Sequence, residues 1–523
     1  FSTAKNAEGA IAEAYATILS SGLPVLVWNN SPIMPYETTE AIMGGEDLCR
    51  LTWGYMDKQV VAGMLANNEN NGAGYTDDYF PNNYAYIRKA WLVYENIDKV
   101  ADMSDRDKAI VKAEMQVLVA FRYVEMLKRY GGVPLVESTL TTVDVRPRST
   151  VQQTLDFIVG LCDAAAATLE GVRWPADWLG RVNKGVALAV KAEALMYAAR
   201  PLFNADAPYM QMADPANNEM IWLGGYDAKR WETARLANQE VIDWGKANGF
   251  ELIYTFMPTH TGHDLGQYRG TGYGQLCQYR KADGTDQTWA GVDDWRPAGE
   301  YRDKAEELEP RAQASLYFYG VNPKNNTGNS RWDLYQNWQL EYKWQDGCAK
   351  NIKFWYEAGS REWFEFPIYR MAEFYLNIAE AYNEEGNPTM ALRYLNDIRR
   401  RGGIPDETQT DRVGLRRSIH REWAVEFYVE NQWYPHARHW KQGASMVGGA
   451  KYKFEFSQAA GVSWNPRKPE EFANYTRKPS YVPEYTWHER MSLSPFTLSE
   501  VNKGYLVQNH DLILKAARTA KEC

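Results

Sequence analysis

The sequence predicts a mainly α protein: a scaffold of stacked helix pairs carrying long, loop-rich insertions and few short strands. Three observations predict it. Long segments repeat apolar residues at helical spacing between recognisable capping residues. One pair of such segments has the spacing of a helical-repeat hairpin. The stretches between helices are rich in Gly, Asn and Asp and also in Trp and Tyr, which argues for ordered loops rather than disorder.

The first strong element runs from about Asp105 to Tyr130. Ser104 is placed to cap it, with Asp107 three positions on. Val111, Met115, Leu118, Val119, Phe121, Val124 and Leu127 cover more than one face, so the helix packs on several sides. Gly131, Gly132 and Pro134 stop it. A second helix starts at Thr150, with Gln153 completing a capping box and a stripe of Val151, Leu155, Ile158, Val159, Cys162 and Leu169. A third, from about Asn183 to Arg200, carries Ala187, Ala189, Ala192, Ala194, Ala198 and Ala199, small enough for close approach of two helix backbones.

Between Glu365 and Pro405 the pattern is more specific. Tyr375, Ile378, Ala379 and Tyr382 follow the first-helix spacing of a tetratricopeptide repeat; Ala391 and Leu395 follow the second, and Pro405 lies just beyond. Gly386-Asn387-Pro388 supplies the turn, with Pro388 suited to the first turn of the next helix. A single repeat cannot bury its own apolar face, so residues 108–170 and 185–245 are the expected partner pairs. Residues 28–85 and 257–365 read as insertions laid over this scaffold.

Composition excludes several function classes. A net charge of −9 with no Lys/Arg run argues against nucleic acid. No stretch approaches the roughly 18 apolar residues of a membrane span. Cys49, Cys162, Cys277, Cys348 and Cys523 are scattered, which fits free or buried thiols better than a zinc ribbon or a disulfide framework. His260/His263 and His436/His439 lack a third ligand at recognisable spacing, so no metal is expected. Gly270, Gly272 and Gly274 lack the strand-to-helix setting of a phosphate loop, and no cofactor is expected. Asp293-Asp294 and Glu306-Glu307 are adjacent carboxylates in one segment, whereas a glycosidase needs two across a cleft.

Several blocks, in order, resemble the SusD/RagB family. They are Ala113-Glu114 and Ala120-Phe121-Arg122-Tyr123 with Lys128 through Val136, then Arg148-Ser149-Thr150 through Ala164-Ala165, then Gly180 through Gly185. They continue with Tyr369 through Glu373 and Ala379-Glu380-Ala381, then His420 through Glu426 with Glu430, Trp433 and Arg438-His439-Trp440. Ser494-Pro495-Phe496, Glu500, Gln508 and Asn509 close the series, which spans about residues 80–510. The resemblance implies an N-terminal SusD-like half, 1–205, and a C-terminal half, 206–523, with a loop-rich insertion at about 257–365, forming one unit. It implies a non-catalytic protein of Bacteroidetes-type bacteria, held on the outer face of the outer membrane by a lipid anchor N-terminal to this chain. Its partners would be a SusC-like TonB-dependent transporter and a glycan; a peptide ligand for the same transporter type is the alternative, and a glycoside hydrolase a more distant one.

Sugar recognition needs flat apolar faces with polar groups around them. Of the 20 Trp and 34 Tyr, those in loops beside Asn or Asp suit this: Trp53, Tyr55, Tyr75, Tyr79, Trp289, Trp295 and Tyr301. Packing that pins the loops to the scaffold is the competing role for each.

Overall fold

Ser104 opens the longest helix as its side chain dictates, accepting a hydrogen bond from the Asp107 amide. The computed structural model describes residues 3–20, 26–28, 31–33, 47–49, 80–140, 145–178, 180–252, 269–321, 347–351, 353, 367–462 and 471–509. In its first half lie helices α1 (Ala4–Ser20), α2 (Phe80–Asn96), α3 (Asp105–Tyr130), α4 (Val151–Thr168), α5 (Lys184–Ala199) and α6 (Lys229–Ala247). The insertion contributes α7 (Ala298–Glu306) and α8 (Pro310–Ser315). Beyond it come α9 (Met371–Glu384), α10 (Pro388–Arg401), α11 (Arg412–Glu426) and α12 (Trp433–His439).

Each helix boundary has a local cause. Gly131 ends α3 at φ +80°, a conformation costly for residues with a Cβ. Thr150 and Gln153 form the full capping box of α4. Asn183 caps α5 by accepting from the Val186 amide. Between α9 and α10, Gly386 turns the chain at φ +80°, Asn387 accepts from the Met390 amide and Pro388 fills the first turn. Successive helices α3 to α6 pack on their neighbours, and α9 packs on α6, α10 and α11. These are the stacked helix pairs of a mainly α fold.

One apolar core runs from Ala7 in α1 through Trp91, Leu118, Ile158, Val190, Ile242, Ile378 and Leu395 to Phe496 and Leu506. Arg148 ties its ends together. The buried guanidinium donates to the carbonyls of Tyr130 (2.6 Å), Gly132 (2.6 Å), Met220 (3.1 Å) and Val507 (2.9 Å). Phe496 stacks on Tyr130 with centroids 4.8 Å apart, so the closing segment seals the exit of α3.

A second core belongs to the insertion and a long hairpin. Strands β1 (Leu26–Trp28) and β2 (Ser31–Ile33) form a separate pair. Strands β3 (Asp47–Cys49), β4 (Arg269–Thr271), β7 (Lys350–Asn351) and β6 (Leu316–Tyr317) form an antiparallel sheet in that order. The third sheet orders β5 (Arg296–Pro297), β9 (Phe472–Tyr485) and β8 (Gly449–Gln458). The β8–β9 hairpin, with strands of 10 and 14 residues, is longer than the few short strands the sequence suggests. Its reason is alternation: Phe454 and Phe456 point inward opposite Arg477 and Tyr475, and join Tyr279, Tyr301, Phe318 and Tyr428 in the second core.

A buried ionic network joins the two cores. Arg311 of α8 pairs with Glu309, Glu422 and Glu426; Arg370 and Arg401 also reach Glu426, and Arg370 and Lys353 reach Glu430. Burial alone would raise the Glu426 carboxyl, but Arg370, Arg401 and Arg311 hold it well below the usual carboxylate range. Glu422, Glu426 and Glu430 recur at four-residue spacing, so their cations dock the insertion on α11 and the turn after it.

Candidate ligand-binding surface

The loop before β5 is laid on the outer course of β9. The Arg477 amide donates to the Gly291 carbonyl at 3.2 Å, and the Asp293 amide donates back to the Arg477 carbonyl at 3.2 Å. Asp293 takes φ +60°, a left-handed conformation that Asp tolerates better than most residues. Its carboxylate pairs with Lys478, and that of Asp294 accepts from Arg296 Nε at 2.9 Å. The turn pushes Val292 and Trp295 outward, 42% and 44% exposed.

Trp289 enters the same loop from the core side. Its ring centroid lies 5.8 Å from Tyr301 and 5.6 Å from Phe454, and the ring is half-buried. Beside it, Arg477 lies over the rings of Tyr273 (4.5 Å) and Tyr452 (5.1 Å), a half-buried cation–π stack. The surface therefore offers a flat indole at Trp295, an apolar rim at Val292 and fixed charged groups of both signs around them. That is the chemistry a sugar ring needs: an apolar face for its C–H side and polar groups for its hydroxyls.

The structure separates the seven aromatic residues expected at a ligand. Trp295 is at the surface, and Trp289 is half-buried against Tyr301 and Phe454. Tyr301 is not a contact residue: it is fully buried, donating to the Cys348 carbonyl at 2.8 Å in the second core. The reason is its place in α7, whose inner face it occupies with Ala298 and Ala305. Trp53, Tyr55, Tyr75 and Tyr79 lie outside the described residues. Tyr452 and Arg477 do not stand out in the sequence; the alternation of Tyr452, Phe454 and Phe456 is the signal that places them on one strand face.

The carboxylates Asp293 and Asp294 sit in one turn, each engaged by its own cation, and Glu307 accepts from Gln287 Nε2 at 2.9 Å. Among the described residues no group of three or more His, Cys, Asp and Glu side chains is arranged to hold a metal. His436 and His439 are both buried against aromatic rings and held neutral, their pKa values pushed well below the usual range by burial. Cys162 and Cys348 are buried free thiols.

Fold and surface together define a mainly α protein with an aromatic-lined insertion. The sequence profile of the SusD family matches residues 239–510, more than half of the chain, and the chain belongs to that family. A second profile, described as starch-binding and associating with the outer membrane, matches residues 52–193. The fold is similar to that of a SusD-like protein from Bacteroides fragilis, with a TM-score of 0.71, 20% identity and 97% of each chain covered. A SusD-like carbohydrate-binding protein from the same species has a TM-score of 0.66 at 16% identity, covering 96% of this chain and 98% of its own. Surface glycan-binding protein A from Bacteroides uniformis has a TM-score of 0.59 at 17% identity, covering 97% of this chain and 99% of its own. No curated protein sequence matches the chain.

Proposed function

We propose that this protein is a non-catalytic cell-surface receptor that captures a glycan and delivers it to a SusC-like TonB-dependent transporter. It is held at the outer membrane by a lipid anchor N-terminal to this chain. The observation that carries the reading is Trp295, a large indole kept 44% exposed by a charged, left-handed turn in a chain of the SusD family. A ring with no binding role gains by being buried, since full burial of such a side chain is worth on the order of 2–3 kcal/mol. Trp289, Trp53, Tyr55, Tyr75 and Tyr79 are proposed to contact the same ligand.

Trp295→Ala is expected to weaken glycan binding about tenfold, a loss of about 1.4 kcal/mol, without lowering the melting temperature. Calorimetry against oligosaccharides selected on a glycan array checks it; unchanged affinity would remove Trp295 from the site. The transporter is a separate expectation. Mild detergent extraction of the native outer membrane should copurify this chain with a TonB-dependent transporter, and recovery of the chain alone would count against delivery.

A further inference from the structure

Two pairs of stacked aromatic side chains lie at one end of the helical scaffold, where α4 ends, α5 begins and α6 ends. The loop between α4 and α5 carries Trp174 and Trp178, with centroids 6.4 Å apart and planes 22° from parallel. Trp244, near the end of α6, and Phe250, just beyond it, have centroids 5.6 Å apart and planes 23° from parallel. Phe250 is 53% exposed, and the three indoles are half-buried. Two contacts hold the pairs together. Arg173 donates to Asn248 Oδ1 at 3.4 Å, and Gly185 lies so close to the Trp244 ring that a Cβ there would come within 2.0 Å of it.

The first pair is built from the core outward. Arg181 lies 3.9 Å from the Trp174 centroid and 4.5 Å from that of Trp178. Its guanidinium is fixed by a bidentate ion pair with Glu114, whose side chain is fully buried and also accepts from Tyr15 Oη at 2.6 Å. Trp174 Nε1 donates to the Val182 carbonyl at 2.9 Å. Burying a carboxylate is costly unless it is paired and hydrogen-bonded, so Glu114 is committed to holding Arg181, and through it two partly open rings. Around the pairs lie exposed Arg173 and Lys246 and exposed Asp177, Asp243 and Glu251, while Lys184 pairs with Glu170, so the charge is within one unit of balance.

We propose that this end of the scaffold is a second carbohydrate platform, on which an extended neutral polysaccharide stacks successive sugar rings against the two aromatic pairs. Stacked, rigid rings suit the C–H faces of a repeating polymer, and the nearly balanced charge suits a neutral one. The proposal rests on the glycan-binding reading and adds a site on the helices, apart from the insertion that carries Trp295.

The test is native electrophoresis through gels containing starch, xylan, mannan or galactan. Wild type is expected to be retarded by at least one polymer. W178A/F250A is expected to bind that polymer about tenfold more weakly, while its affinity for short oligosaccharides stays at the wild-type level. W178F/F250Y, which keeps a ring at both positions, is expected to bind as wild type. Circular dichroism and melting temperature check folding; if W178A/F250A is unfolded, F250A alone decides, because that ring is already exposed. Unchanged retardation of the folded alanine variant overturns the platform, and if W295A abolishes retardation meanwhile, the glycan reading stands. Equal loss in W178F/F250Y, or a concentration-dependent dimer that W178A/F250A abolishes, also overturns it. Retardation of wild type by none of the polymers overturns the platform, and the glycan reading is then decided by the array and W295A.

Discussion

Arg148→Met is expected to destabilise the protein by about 4 kcal/mol, more than any surface substitution. Arg148 is 4% exposed and has no carboxylate partner among the described residues; it serves four carbonyls from three separate points of the chain, the exit of α3, Met220 and Val507. Methionine fills similar space but leaves the buried carbonyls of Tyr130 and Gly132 facing an apolar side chain, and each unsatisfied buried acceptor costs about 1–3 kcal/mol; Met220 keeps its bond from the Gly132 amide at 2.7 Å. Partial re-pairing lowers the sum, which places the change in the exceptional class of single substitutions. The guanidinium also lies 4.9 Å from the Phe496 ring, so the closing segment loosens with it. For a chain of this length the melting temperature should fall by roughly 3–4 °C, and protease cleavage near residues 494–509 should accelerate. Arg106→Met, at an exposed position, is the control and should stay within about 0.5 kcal/mol. Melting of R148M at the wild-type temperature would show that the Tyr130 and Gly132 carbonyls find other donors.

The helical scaffold was legible because its signals are local. Ser104, Thr150 with Gln153, Asn183 and Gly386-Asn387-Pro388 each act within one turn of their own helix, and the structure places every one of them at a terminus. The second core was not legible, because it is assembled from distant segments. Phe456 faces Tyr301 and Tyr319 across more than a hundred residues of chain, and no periodicity within either segment announces the pairing. The same distance explains Tyr301. Its neighbours Asp303 and Glu300 make the segment look like a polar loop, whereas α7 turns that one ring inward. The Trp174–Trp178 pair was hidden for another reason. Its significance depends on Arg181 and Glu114; Glu114 stands in a block that resembles the family, but nothing in the sequence marks it as buried or as the partner of Arg181. A buried acid is informative only once its burial is seen.

Acidification should destabilise the protein steeply just below pH 6.5, and three histidines are the cause. His420, His436 and His439 are buried in the aromatic region around α12: the His420 and His436 rings are 4.9 Å apart, and His439 lies 4.5 Å from Tyr197. Burial, with Arg200 and Arg416, pushes His420 down to about 3, while burial and Arg200 push His436 well below the usual range. His439 is depressed by burial, with Arg200, Arg438 and Lys128 adding to it against the hydrogen bond its Nε2 donates to the Lys128 carbonyl. A histidine depressed in the folded state takes up its proton only on unfolding, so stability is present above the unfolded value of about 6.5 and is lost as the pH falls below it. Each such group costs about 1.4 kcal/mol per pH unit, about 4 kcal/mol for three. Glu373 opposes them. Burial and the neighbouring Glu193 raise it to about 8, so its folded state holds a proton that the unfolded chain releases, and stability rises as the pH falls toward 4.5. Between about pH 6.5 and 5.5 each histidine costs only about 1 kcal/mol, because the unfolded imidazole is already half charged at 6.5, and for these four groups the balance is a loss of about 1.7 kcal/mol. Urea unfolding across that interval measures it. His436→Phe keeps an aromatic ring among Trp423, Trp433 and His420 and removes one titrating group. Across that interval its loss of stability should be smaller by about 1 kcal/mol, and an unchanged loss would show that the proton uptake belongs to other groups.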